Sequence, residues 1–228
     1  MAWSCVVSVA AFYAISLVVL RVTGQDRRAF LNAMVYANVG NMGLPLCLLA
    51  FGDQGLALGI AYFSVNVVLL FSAGVAVAAG ATSVGILLRL PILYAVAASL
   101  LVIYAGVETP KWVLSTTDLL GGLTVPLMLI ALGVSLADLA VKDLRRSVAL
   151  SVFRIAMGIA VGVATAEVLG MEGMARGVVI LQCAMPVAVF NYLFAARYDT
   201  RPAEVAGTVV VSTVMSFLTL PALLLYIL

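Results

Sequence analysis

The chain has 228 residues, 65% of them hydrophobic and 10% charged, with a formal net charge of +2 and a mean hydropathy of +1.23. A soluble domain carries roughly 25% charged residues, so a water-soluble fold is excluded; the net charge of +2 says nothing about nucleic acid, and no nucleic-acid partner is expected. Histidine is absent, which removes His-dependent metalloproteases, Ser/His peptidases and b-type haem sites together.

Apolar runs long enough to cross a bilayer, about 20 residues each, recur along the chain and predict an all-α polytopic membrane protein. Eight spans fall at about 3–22, 30–51, 55–79, 91–106, 112–138, 147–169, 173–196 and 204–228. The connections are short and polar, so 1–228 reads as one membrane domain. Cys5, Cys47 and Cys183 each lie inside an apolar run and read as small buried hydrophobes. No metal-ligand set, cofactor motif or nucleophile–base pair can be assembled, so neither a cofactor nor an enzyme is expected.

The second span is interrupted by Asn38-Val39-Gly40-Asn41-Met42-Gly43-Leu44-Pro45. A helix broken in hydrocarbon strands backbone N–H and C=O groups at several kcal/mol each. Such breaks are tolerated where they line a cavity, and secondary transporters bind cargo at them. Asn38, Gly40, Asn41 and Pro45 are therefore candidate substrate-binding residues. The alternatives are that the asparagines join helices by hydrogen bonds and that the proline is a simple kink. Tyr62 and Asn66 in the third span are candidates for lining the same site.

Further along, Asp118 in the fifth span is a candidate for proton or cation coupling. Arg154 in the sixth is a candidate counter-charge for an anion, an interdomain ion pair, or a snorkelling interfacial arginine. Gly121-Gly122 and the Gly158-x3-Gly162 spacing predict close helix packing, within the protomer or at a homodimer contact. The seventh span carries a second break at Gln182-Cys183-Ala184-Met185-Pro186, with Asn191 five residues on. Pro186 and Asn191 join the candidate binding residues, and Ser212 and Thr213 in the last span join the candidate lining.

Basic residues collect in alternate loops: Arg21, Arg27 and Arg28, then Arg89, then Lys142, Arg145 and Arg146, then Arg197 and Arg201. Positive loops face the cytoplasm, which predicts an inner (plasma) membrane protein with both termini outside. The two breaks then run in opposite directions at matching positions, the mark of an inverted-topology repeat. The repeats would divide as residues 1–80 and 85–228.

Asn38–Pro45 with Phe51-Gly52, Pro126–Gly133, Ala184-Met185-Pro186, and Phe194–Tyr198 through Ser212-Thr213 to Leu220-Pro221 resemble the auxin efflux carrier family. That family includes plant auxin exporters and bacterial malate permease-like transporters. The resemblance implies a secondary transporter of two inverted five-helix repeats (5+5), here lacking the first two helices. Its fourth and ninth helices would cross as broken helices and hold the cargo, and the crossing bundle would move like an elevator. The implied partners are a small organic carboxylate anion and membrane lipid. The alternative is a truncated, transport-inactive homologue that associates with a full-length carrier.

Overall fold

The computed structural model describes residues 1–80, 91–106, 109–137 and 139–228. Arg89 and the expected start of the second repeat at residue 85 lie outside them. The helices are α1 (Ala2–Val22), α2 (Arg27–Val35), α3 (Leu44–Leu69), α4 (Val75–Ala79), α5 (Pro91–Ala105), α6 (Lys111–Ala137), α7 (Leu144–Val168), α8 (Gly173–Ala184), α9 (Val189–Arg197) and α10 (Pro202–Ile227). Two π-helical stretches, Val39–Gly43 and Leu70–Gly74, lead into and out of α3. The described residues contain no strand, and helices long and apolar enough to cross a bilayer recur among them. The protein is an all-α polytopic membrane protein.

Helix α3 contains a reversal that helical hydrogen bonding conceals. Gly52 has φ +66° and ψ −161°, a conformation open to glycine alone. A Cβ built on Gly59 would lie 3.2 Å from both Cys47 Sγ and Leu44 Cδ2. In a straight helix, residues 47 and 59 would stand about 18 Å apart. The chain therefore folds back at Gly52 into two packed limbs, which are the second half of the broken span and the third span expected from sequence.

Two acidic N-caps start helices at the basic end of the bundle. Asp26 Oδ1 accepts from Arg28 N–H at 2.9 Å and Asp143 Oδ1 from Arg146 N–H at 3.0 Å. The same loops share ion pairs: Arg201 reaches Asp26 at 3.6 Å and Glu204 at 3.1 Å, and Arg146 meets Glu204 and, at 3.7 Å, Asp143. Three loops far apart in sequence are thereby gathered at one end.

Around the core, α7 packs on α1, α8 and α10, while α6 lies across the Val39–Gly43 stretch, α3 and α9. Gly158 and Gly162 bring α7 against α8, as their spacing predicts: a Cβ on Gly162 would lie 3.0 Å from Ile180 Cα. Gly121 and Gly122 differ. Among the described residues of the protomer, a Cβ built on either would meet nothing within 4 Å, so the pair makes no close contact with them. Leu119, Leu120 and Leu123 beside them are more than half exposed, so this part of α6 is uncovered by the described residues.

Candidate functional site

Both predicted breaks exist, and they meet. After Val35 the chain leaves the helix, with Tyr36 extended (φ −96°, ψ 109°) and Asn38 unwound before the π-helical turn. After Ala184 the chain leaves α8 in the same way, with Met185 at φ −57°, ψ 145° and Ala188 at φ −69°, ψ 140°. The unwound segments lie antiparallel as an isolated β-bridge between Ala37 and Val187. Asn38 N–H donates to Pro186 O at 2.7 Å and Ala188 N–H to Tyr36 O at 3.2 Å. Main-chain groups freed by one break thus satisfy those freed by the other, the condition for irregular backbone at membrane depth.

The first break sits N-terminal to its expected place. Unwinding covers residues 36–38, while Val39–Gly43 is π-helical and Pro45 occupies the first turn of α3. Proline is favoured there because a first-turn N–H has no helical partner to lose. Pro186 lies within its break and supplies the carbonyl that Asn38 binds.

Side chains complete the crossing. Asn191 Nδ2 donates to Tyr36 O at 2.9 Å, and Val187 N–H donates to Ser212 Oγ at 3.1 Å. Asn38, Asn191 and Ser212 are all buried, at 5%, 3% and 0% exposure. Asn38 Nδ2 and Asn191 Oδ1 have no hydrogen-bond partner. Burying an unpaired amide atom costs about 1–3 kcal/mol, so each of these atoms leaves a hydrogen-bonding capacity unused within the chain. The Val39–Gly43 stretch and α9 both start here, with first-turn N–H groups that no helical carbonyl can meet.

Arg154 is 0% exposed and the only charged side chain among the buried described residues. Its NH1 and NH2 both donate to Cys183 O at 3.2 Å, and its guanidinium stacks 4.6 Å from the Phe12 ring centroid. Cys183 lies in the last turn of α8, where carbonyls lose their partners to the break. A cation at the negative end of a helix is favourable. Arg154 therefore caps the second break and leaves positive charge beside the crossing; it does not snorkel to an interface.

Other candidates hold the surrounding scaffold. Tyr62 OH lies 2.7 Å from Ser8 Oγ and 3.4 Å from Cys183 Sγ, tying α1 and α3 to α8. Asn66 is buried one turn further along α3, while Thr213 bonds only its own helix, to Val209 O at 2.8 Å. Asn41 is partly exposed. A Cβ on Gly40 would lie 2.7 Å from Phe63 Cε2, and one on Gly43 would overlap the Gln182 amide. Those glycines admit side chains from the protein itself. Asp118 is exposed on α6, in a shallow groove with Leu114, Ser115 and Thr117, and is not drawn into the crossing.

Three residues outside the sequence-derived set belong to this region. Tyr36 supplies the carbonyl that joins the breaks, and its hydroxyl donates to Leu69 O at 2.9 Å. Asn32 Nδ2 donates to Gly74 O at 2.6 Å. These two side chains serve carbonyls beside or within the π-helical Leu70–Gly74 stretch, where the regular ladder is disturbed. Gln182, fully buried, donates to Cys47 Sγ at 3.6 Å and leaves its Oε1 unpartnered. A glutamine one turn before a mid-span proline was the available signal. No group of three or more metal-ligating side chains occurs among the described residues.

A family model described as membrane transport protein matches residues 80–224, a stretch that contains the second break but not the first. The uncharacterized transporter MJ1031 of Methanocaldococcus jannaschii is 25% identical over 191 residues. That similarity covers 79% of this chain and 62% of the archaeal protein. The chain spans under two thirds of that relative's length. On the matched residues and the two crossing breaks, the chain belongs to the membrane transport protein family, that of the auxin efflux carriers.

Proposed function

We propose that the chain is the cargo-binding part of a secondary carrier for a small organic carboxylate anion, held where the two broken helices cross. The observation that carries this reading is the unpartnered, buried Asn38 Nδ2 at the start of the Val39–Gly43 stretch. An amide donor, first-turn N–H groups and the positive end of a helix dipole all favour an anion. Arg154 adds a full positive charge close behind, and no buried carboxylate among the described residues opposes it. Asn191 Oδ1 supplies an acceptor for a hydroxyl on the same cargo. Inner-membrane placement and external termini follow from the loop charges. A carrier differs from a channel in saturating, and the crossing holds no ring of charges or carbonyls of the kind that lines a filter.

The test is uptake of radiolabelled malate into liposomes containing the purified chain, with unlabelled mono- and dicarboxylates as competitors. Wild type is expected to saturate, and Asn38→Ala and Pro186→Ala to lose uptake while remaining folded. Folded wild type that moves neither malate nor any competitor would refute the reading for the isolated chain. Flux appearing only on addition of a full-length homologue would instead make this chain an associating subunit.

A further inference from the structure

We infer that the groove between α1 and α7 at the basic end of the bundle is a binding site for one anionic phospholipid. A cavity of about 480 Å³ opens there. It is lined by Arg145, Arg146, Thr23 and Gln25 and, on its apolar side, by Leu20 and Phe153. The cations differ in what they already hold. Arg146 is paired with Glu204 and Asp143, whereas Arg145, one residue away and exposed, makes no ion pair among the described residues. Asp143 also lines the cavity, but its carboxylate is engaged by the Arg146 backbone N–H and guanidinium. The free charge at the mouth is therefore positive.

The apolar wall decides the source of the anion. A free phosphate would gain nothing from Leu20 and Phe153, while a lipid phosphate brings acyl carbons that cover them. Ala149 also lines the cavity. A second cavity lies between the same two helices toward their far ends, lined by Ala11, Ile15, Ala160, Ala164 and Val168. That second stretch is almost wholly apolar. Charge at one end, hydrocarbon beyond it and alanines along it match a phosphate headgroup with its chain running toward the bilayer midplane. Basic pockets between helices on the cytoplasmic side are a recurring form of headgroup recognition.

The experiment uses the purified full chain carrying Phe153→Trp in a Trp3→Phe, Trp112→Phe background, in nanodiscs. Discs contain phosphatidylcholine with either 10% brominated phosphatidylglycerol or 10% brominated phosphatidylcholine. Quenching by the brominated glycerol lipid is expected at several times the level of the choline lipid. Arg145→Gln is expected to raise the phosphatidylglycerol needed for half-maximal quenching about fivefold, the worth of one juxtamembrane basic residue. Arg145→Lys is expected to retain most of the effect. Arg197→Gln, at another loop, is expected to leave it unchanged and serves as the folding-matched control. Equal quenching by both lipids, or an Arg145→Gln titration matching wild type, would overturn the proposal. So would loss of quenching on adding inorganic phosphate alone, which would make the groove a simple anion site.

Discussion

Replacing Gly158 by alanine tests the geometry on which the second break depends. The added Cβ would stand 2.5 Å from Cys183 O, 2.8 Å from Arg154 NH1 and 3.1 Å from Ala184 Cα. Comfortable contacts between such atoms lie near 3.5–4.0 Å, so α7 and the end of α8 must part by about 1 Å. Two of the three neighbours are backbone and cannot rotate aside. Overpacking of this kind costs about 1–3 kcal/mol. Separation also weakens the charged hydrogen bonds from Arg154 to Cys183 O, a group worth about 1.5–3 kcal/mol. Alanine returns up to about 1 kcal/mol of helix propensity. The net loss is about 2–4 kcal/mol. The chain carries its own reporter, because Cys5, Cys47 and Cys183 are all 0% exposed and react with a thiol-specific dye only on unfolding. Gly158→Ala should become reactive several degrees below wild type in detergent. Gly162→Ala, whose Cβ meets nothing closer than 3.0 Å, should fall between the two. Gly121→Ala should match or exceed wild type. Equal melting of Gly158→Ala and Gly121→Ala would refute the described approach of α7 to α8.

Ser212→Ala should destabilise by about 1–3 kcal/mol, since Val187 N–H loses its acceptor in a buried place; the same dye assay reads it. Tyr62→Phe should lower the melting temperature through loss of the Ser8 and Cys183 contacts while leaving KM for any transported carboxylate unchanged. A raised KM with unaltered stability would place Tyr62 at the cargo instead. Asp118→Asn should alter neither stability nor the cation dependence of uptake, because its carboxylate is exposed on α6; loss of proton- or sodium-driven uptake in that variant would support the coupling role expected from sequence.

Periodicity and composition made the spans readable, and the clusters of glycine, proline and amide made the breaks readable. Their residue-level placement was not. Proline marks where an N–H is dispensable, which for Pro45 is the first turn after the break and for Pro186 the break itself. Sequence placed Arg154 deep in a span, but its partner is the carbonyl of Cys183, and backbone acceptors leave no trace in residue identity. Tyr36 escaped notice for the same reason, since its part at the crossing is played by its carbonyl. Gly121 and Gly122 illustrate the reverse, as a small-residue pair signals permission to pack closely and does not say whether the neighbour lies in the same protomer.

The pairing of Asn38 with Pro186 and of Ala188 with Tyr36 has a consequence for isotope exchange. Irregular backbone ordinarily exchanges its amide protons fast, because little must open for solvent to reach them. Here the two amides lie outside any regular helix, yet both are bonded across the join between breaks about 150 residues apart in sequence, and freeing them requires the crossing itself to open. Deuterium should therefore enter Asn38 and Ala188 as slowly as it enters the middle of α8, and well after it enters the ends of α6. The least helical part of the bundle is then its slowest clock.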